Sequence, residues 1–561
     1  MKFGVLCNGS SFQQWQLETI QNLVSGGHTC SLLIVNANPV QSLSFREKLL
    51  HYPYSKLLYR LWFRYLMKPE AKRNVAINDL YPGLPSISCS TSKKGYADYF
   101  AETDVAAIKS SDLDFMLRFG FGIIKGEILD AAKYGVWSYH HDDDRKYRGV
   151  PTGFWEIIFN DPVNAAILQR LTKKLDSGVI LHKAYFGTIN HSWEANLNNL
   201  FQSSTEWPLQ VCREIENGNT EFLKASNSPA SAIYKLPGNS KMFRFLLKVL
   251  VNKLKFHYHD LFLTEKWDVG IIPLPVKEIV EPGIINIPEP LWLKISNIKS
   301  VYHADSFGFV KDNICHILCE EYDYRTAKGF LTSFQLDLKS NQIRRKTIAL
   351  EKDYHLAYPY LFENEGVYYC IPENSRGGSI DLYRYDISDG KLVFEQMLIE
   401  NLQAVDASLY FYNGLWWLFF TDTISTNERL HIWYSENFRG PYLPHANNPV
   451  KVDIRSSRPA GNLFLLDGKL LRPAQDCSIR SGRRICINQV TRLTPTEFIE
   501  EEYAILNPAI SSKYGAGMHT FCVTGNAIIV DGKREIFIWQ AFRRKLATKI
   551  NKIIKTKNDK K

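Results

Sequence analysis

The sequence predicts an α/β domain followed by an all-β domain of the five-bladed propeller type. Three observations predict it. Apolar strands alternate with helical patterns over residues 1–230, the order that builds a parallel sheet with helices on its faces. From residue 263 the texture changes to short β-rich runs, each closed by a turn dipeptide. Those closures recur at about one per 50 to 60 residues, a period that suits propeller blades. A length of 561 residues also fits two or three domains better than one core.

Residues 3–7 form an apolar strand ending at Asn8-Gly9, and Trp15, Ile20, Leu23 and Val24 follow at helical spacing. Residues 32–35 are a second buried strand. Residues 114–118 are a third, ending in Phe119-Gly120-Phe121-Gly122. A helix over 125–133 leads to a strand at 136–139. Ligands of such sheets sit beyond the C-terminal strand ends, where Gly120, Gly122 and His140 fall. Residues 231–262 read as a helical connector. In the second half, strand 367–371 follows Asn364-Glu365-Gly366 and strand 415–420 follows Tyr412-Asn413-Gly414. Leu470-Leu471 follows Asp467-Gly468, and strand 535–539 follows Asp531-Gly532. All four are hairpin signals. The propeller spans 263–542 and a basic tail spans 543–561.

The chain is 45% hydrophobic and 22% charged, ordinary for a globular protein. Its ten cysteines are scattered singly, Cys315 and Cys319 being the nearest pair. This pattern predicts a reducing compartment, with neither a disulfide framework nor a zinc site. The N-terminus reads as a first strand, not a signal peptide, and no run reaches the ~18 apolar residues of a spanning helix. A cytoplasmic protein is expected. The net charge of +10 gathers in three stretches, Arg46 to Arg73, Lys241 to Lys255 and Arg543 to Lys561. These read as solvated helices and a frayed terminus, or as attraction to an acidic membrane surface or a nucleotide-linked substrate. Nucleic acid is not expected, because no binding module accompanies the charge.

Ser138-Tyr139-His140, then Arg148-Gly149, then Leu175-Asp176-Ser177-Gly178 form an ordered set. It resembles the core of the folate-dependent formyltransferases, in which an Asn-x-His pair precedes Arg-Gly and Leu-Asp-x-Gly follows. Here Ser138 stands where that family has its Asn. Gly120-Phe121-Gly122-Ile123-Ile124 resembles the family's Gly-containing loop, and Arg148-Gly149-Val150-Pro151-Thr152 its Arg-Gly-Ala-x-Pro turn. Residues 161–181 resemble the hairpin that delivers the catalytic Asp. The resemblance implies a Rossmann-like formyltransferase domain using 10-formyltetrahydrofolate. Phe119, Gly120, Phe121, Gly122 and Ile123 would hold the pterin, and Arg148 would sit on the substrate side. Formyl transfer requires a proton to leave the attacking amine and a donor to face the developing oxyanion. By the same resemblance His140 is the base or positioning group, Asp176 orients it, and Ser138 is the oxyanion partner. His141-Asp142-Asp143-Asp144 reads as a solvated loop that shapes acceptor choice, or as a site for a cation. His257-Tyr258-His259-Asp260 lacks a further ligand at metal-site spacing, and no metal is expected.

The second half suggests carbohydrate. Ala304-Asp305-Ser306-Phe307 resembles the Asp-Pro-Phe segment in the first blade of five-bladed glycosidases. Tyr358-Pro359-Tyr360, Ile371-Pro372-Glu373-Asn374 and Val405-Asp406-Ala407-Ser408 resemble their second and third blade motifs. Residues 265–540 most resemble the N-terminal domain of plant glucosamine inositolphosphorylceramide transferases, and Ser457-Arg458-Pro459-Ala460-Gly461 and Arg472-Pro473-Ala474-Gln475-Asp476 fit that resemblance. Asp305, Glu373 and Asp406 are candidate acid and base groups or plain sugar contacts. Arg458, Arg472, Gln475 and Asp476 are candidate grips on a sugar or anion. Trp416 and Trp417 read as blade core. The leading expectation is formyl transfer to an amino sugar in surface-glycan biosynthesis, with the propeller binding the glycan. The rivals are a glycosidase or glycan-transfer activity in the propeller, and a non-catalytic glycan-binding scaffold.

Overall fold

Seven strands organise the first part of the chain: β1 (Lys2–Cys7), β2 (Thr29–Asn36), β3 (Ser86–Cys89), β4 (Phe115–Arg118), β5 (Val136–His140), β6 (Val163–Arg170) and β7 (Val179–Gly187). The computed structural model describes residues 1–9, 11–38, 53–76, 83–173, 178–224, 231–509 and 512–558. The chain divides into two compact units, Met1–Lys253 and Leu254–Lys561. The division falls inside a helix, Asn239–Phe262, which occupies most of the predicted connector.

In the first unit the sheet order is β7-β6-β5-β4-β1-β2-β3. Strands β3, β2, β1, β4 and β5 run parallel, and β6 and β7 close the edge as an antiparallel hairpin. Apolar runs explain the buried parallel strands: Phe3, Val5, Leu6, Phe115, Met116, Leu117, Val136 and Trp137 are all buried. Helix α1 (Gln14–Ser25) buries Trp15, Leu17, Ile20 and Leu23 on one face and ends at Gly26. The predicted helix over 125–133 does not form. Gly126 at φ +90° breaks the run, leaving a strand at Ile123–Lys125 and a short 3₁₀ turn at Glu127–Asp130.

Among the described residues the second unit contains five sheets of four or five strands. One joins Thr264–Ile272 near the unit's start to Ile528–Ile536 near its end. The others follow in chain order, three of them opening with Val301–Lys311, Ala357–Asn364 and Ala404–Tyr412. The turn dipeptides act as the sequence predicts. Glu365-Gly366, Asn413-Gly414 and Asp467-Gly468 all have positive φ at both residues, the geometry of tight hairpins.

Asp531-Gly532 is the exception, because strand Ile528–Ile536 runs straight through it. Asp531 accepts the amides of Asp305, His519 and Thr520, and Gly532 leaves room for the Trp292 ring, which a Cβ would meet at 2.2 Å. The described part of the predicted tail lies in helix Trp539–Asn558. Phe542 stacks on Phe262, Lys545 donates to the Leu263 carbonyl, and Lys549 pairs with Asp260 at 2.6 Å. All ten cysteines are buried thiols, and among the described residues no helix is long and apolar enough to cross a membrane.

Candidate functional sites

In the first unit the parallel register of β4 and β5 sets Arg118 opposite Ser138. The Arg118 Nε and Nη2 donate to Ser138 Oγ at 3.1 and 3.0 Å, and Nη1 donates to the Gly122 carbonyl at 2.7 Å. No carboxylate among the described residues pairs with this guanidinium, and burial lowers its pKa. Arg118 and His140 line one pocket of about 240 Å³ together with Ile123, Ile124, Lys125 and Gln169. Gly178, just before β7, also lines it. The volume admits a ring-sized group, not a whole drug-sized ligand.

His140 sits at the C-terminal end of β5 with 30% of its side chain exposed, its Nε2 3.9 Å from Asp142 Oδ2. Asp176 lies outside the described residues. Among the described residues, Asp142 is a carboxylate that the structure places beside His140. It is buried next to Glu156, whose two carboxylate oxygens have no hydrogen-bond partner among the described residues. Burial first, and then the charge of Glu156, push the Asp142 carboxyl well up, while burial pushes Glu156 up to about 7. The pair can thus hold a proton behind the histidine at neutral pH.

The acidic run is not a solvated loop. His141, Asp142, Asp143 and Asp144 are all buried. His141 packs on Trp15 and Phe201 and meets Ser204 Oγ at 3.1 Å. Asp143 and Asp144 both accept from Lys183 Nζ, at 2.8 and 2.6 Å. A strand lysine of the same chain thus takes the place that a cationic ligand would fill.

The predicted pterin loop divides by role. Ile123 lines the pocket, while Phe119 turns into the aromatic core against Trp15 and Phe12. Phe121 packs on Phe100. A Cβ on Gly120 would lie 2.4 Å from the Cys7 backbone, and one on Gly122 would lie 2.5 Å from Asp98 Oδ2. Both glycines therefore serve close packing behind the pocket wall. Arg148 donates to the Ser231 carbonyl through Nε and Nη2 and is not among the pocket's lining residues.

In the second unit three successive sheets open with the same irregularity. Their first strands slip register at Ala304/Phe307, Ala357/Tyr360 and Val405/Ser408. Inside each slip one non-glycine residue takes a positive φ: Asp305 at +53°, Tyr358 at +40° and Asp406 at +53°. Such bulges re-aim side chains and persist where the surroundings enforce them. Asp305 Oδ1 lies 3.3 Å from His519 Nε2, and the other ring nitrogen lies 2.5 Å from Asp531. His519 also stacks on Trp267 at 3.8 Å. Burial works to lower its pKa, but the Asp531 and Asp305 carboxylates on either side raise it. Asp305, His519 and Asp531 bring ligand-type atoms within 4.8 Å of one another, and the histidine already bridges the two carboxylates.

Asp406 Oδ2 accepts from Arg458 Nε at 2.6 Å and Gln475 Nε2 at 2.8 Å, while its buried Oδ1 has no partner among the described residues. Burial, then the charge of Asp406, push Glu373 up to about 8, so Glu373 keeps its proton at neutral pH. Burial also raises Asp305 to about 6 and Glu320 well up. Local sequence does not mark Glu320 or His519 as site residues, and it marks Asp531 only as a turn residue before Gly532.

Two predicted sugar contacts are structural instead. Arg472 is buried and donates to both Glu500 oxygens, and Asp476 accepts from Arg484 Nε. Trp417 is buried core and Trp416 packs against the core, both as expected; Trp416 also lines an aromatic pocket of about 530 Å³ with Phe309, Tyr360 and Tyr410.

Residues 292–518 match the family described as glucosamine inositolphosphorylceramide transferase 1, N-terminal. The glucosamine inositolphosphorylceramide transferase 1 of Oryza sativa subsp. japonica is 38% identical over 207 residues, 36% of this chain and 28% of the relative. That of Arabidopsis thaliana is 30% identical over 213 residues, 37% of this chain and 28% of the relative. The chain thus spans little more than a quarter of these relatives' length. A methionyl-tRNA formyltransferase of Borrelia garinii subsp. bavariensis is 28% identical over 129 residues, 23% of this chain and 40% of the relative. Among solved structures, the family 117 glycoside hydrolase Zg3597 of Zobellia galactanivorans matches 49% of this chain and 91% of its own, with TM-score 0.31 and 12% identity. Glycinamide ribonucleotide transformylase 1 from Symbiobacterium toebii matches 39% of this chain and 88% of its own, with TM-score 0.26 and 14% identity. The chain is thus similar to proteins named as transferases of two kinds.

Proposed function

We propose that the first unit transfers a formyl group from 10-formyltetrahydrofolate to the amine of an amino sugar. The observation that carries this reading is the pocket shared by His140 and the Arg118 guanidinium, which pairs with no carboxylate among the described residues. The pocket's lining joins the apolar Ile123 and Ile124 to the polar Gln169, a mixture that suits a heterocycle. When bound, the folate supplies the formyl carbon.

His140 takes the proton that the attacking amine must lose, and the Asp142–Glu156 pair lies behind it with a proton of its own. Arg118 meets the charge that develops on the carbonyl oxygen. Three of its N–H groups are committed to Ser138 and Gly122, which leaves two of its five for the oxyanion. In this reading Ser138 holds the guanidinium in place and Arg118 is the donor.

Calorimetry with a stable analogue of 10-formyltetrahydrofolate tests the reading. Saturable binding is expected, lost in Ile123→Trp, which fills the pocket from an exposed position. Binding that survives Ile123→Trp, or no binding by the unmodified chain, overturns it. With binding intact, His140→Ala should lower turnover by about 10²- to 10⁴-fold.

The bulged centre of the second unit supports a companion reading. The five sheets form a five-bladed propeller whose pole, lined by Asp305, Glu373, Asp406 and Arg458, binds a glycan. Protonated Glu373 donates to a sugar oxygen and Asp305 accepts from a hydroxyl. Asp305→Asn and Glu373→Gln are each expected to weaken binding in a glycan screen by at least about tenfold. Unchanged binding in both variants would remove the pole from consideration.

A further inference from the structure

Helix Asn239–Phe262 carries two apolar stripes within the first unit, and only one of them is buried. Met242 and Phe245 are buried, and Leu246 and Val249 pack beside them in an aromatic cluster with Phe154 and Trp193. On another side, Phe243, Leu247, Leu250 and Val251 are 63%, 52%, 54% and 40% exposed. Their spacing places them on one helix face.

Residues 54–66 repeat the arrangement. Tyr59 and Trp62 turn inward onto the same cluster, while Leu58, Leu61, Phe63, Tyr65 and Leu66 face solvent. Asn239 joins the two segments: its Oδ1 accepts from the Leu58 amide at 3.0 Å and its Nδ2 donates to the Tyr54 carbonyl at 2.8 Å. They form one surface.

Its charge is one-sided. Residues 54–68 contain four Lys or Arg and no acidic residue, and residues 239–253 likewise contain four and none. Exposed Leu and Phe interleaved with cations, and free of carboxylates, match acyl chains beneath anionic headgroups. A polyanion alone would use the cations and leave Leu247 and Leu250 without a role.

We propose that this two-segment face seats the chain on an anionic lipid surface, with both segments lying in the interface plane. The side chains around Leu247 and Leu250 enter the headgroup boundary, and Arg64, Lys241 and Arg244 meet lipid phosphates. Seating of this kind would give the chain access to lipid-linked acceptors.

The full chain is sedimented with vesicles of phosphatidylcholine alone and of phosphatidylcholine mixed with phosphatidylglycerol. Binding to the anionic vesicles should be tighter by about tenfold or more, weakened but not abolished by salt. Leu247→Glu with Leu250→Glu, both at exposed sites, should cost about tenfold with an unchanged melting curve. Lys241→Glu with Arg244→Glu should remove the preference for anionic lipid. Equal affinity for both vesicles, no binding, or indifference to both double variants overturns the proposal. Binding that moderate salt abolishes and the leucine pair does not affect would identify a polyanion surface, and also overturns it. A dimer that the leucine pair converts to monomer would assign the face to a second copy of the chain instead.

Discussion

Arg118→Ala is expected to lower formyl transfer by about 10²- to 10³-fold while leaving folate-analogue affinity within a few-fold, the cost of removing one preorganised donor from a developing oxyanion. The formyltransferase resemblance puts an Asn amide where this chain has Ser138. A serine hydroxyl is shorter and offers one donor. The structure lays the Arg118 guanidinium across that hydroxyl, so a donor stands close to the missing amide.

The compensating change separates this role from a merely structural one. Ser138→Asn in the Arg118→Ala background restores a side-chain amide to the space the guanidinium leaves, and turnover should recover by at least about tenfold. Ser138→Asn alone should disturb Arg118 and lower turnover. If Arg118→Ala loses folate binding as well, Arg118 holds the pocket wall and is not the oxyanion donor. If neither variant changes turnover, the donor lies elsewhere.

Arg472→Met should destabilise the second unit by about 3–5 kcal/mol, because it leaves the Glu500 carboxylate buried and short of a partner. Arg472 and Glu500 are both almost fully buried, joined through two hydrogen bonds of 2.8 and 2.6 Å, with Lys451 at 2.7 Å from Glu500. Combining Arg472→Met with Glu500→Leu should recover most of the loss, since no charge is then stranded.

The same cluster sets an acid limit. Burial alone would raise the Glu500 pKa, but Arg472 and Lys451 hold it down at about 2, against an ordinary value of 4.5. The folded-state value is depressed, so this contribution is complete above pH 4.5 and is lost as pH falls towards 2. Thermal melts of the unmodified chain between pH 5 and pH 2 should show this decline, and Glu500→Gln should flatten it.

The two sites were unequally legible in the sequence. His140 was readable because a strand end, a following Arg-Gly turn and a hairpin lie in order along the chain. Arg118 was not read, although a charged residue closing the apolar run Phe115-Met116-Leu117 is a signal of its own kind. Its role depends on the register of β4 against β5, and a strand's own residues do not state which neighbour it pairs with in parallel. The acidic run was misread for a similar reason. Lys183 neutralises Asp143 and Asp144 from a strand some forty positions away.

Local pattern by itself determined the alternation of strands and helices, the change of texture near residue 263, and the tight turns at Glu365-Gly366, Asn413-Gly414 and Asp467-Gly468. These follow from periodicity and from φ angles that few residues accept. Only the tertiary structure decided that Asp531 is a strand residue holding three amides, that His519 lies between Asp305 and Asp531, and that Arg472 serves the core. Each of those outcomes depends on long-range pairing that brings a charge out of water. Burial then makes the partner's identity, not the residue's own chemistry, decide its role.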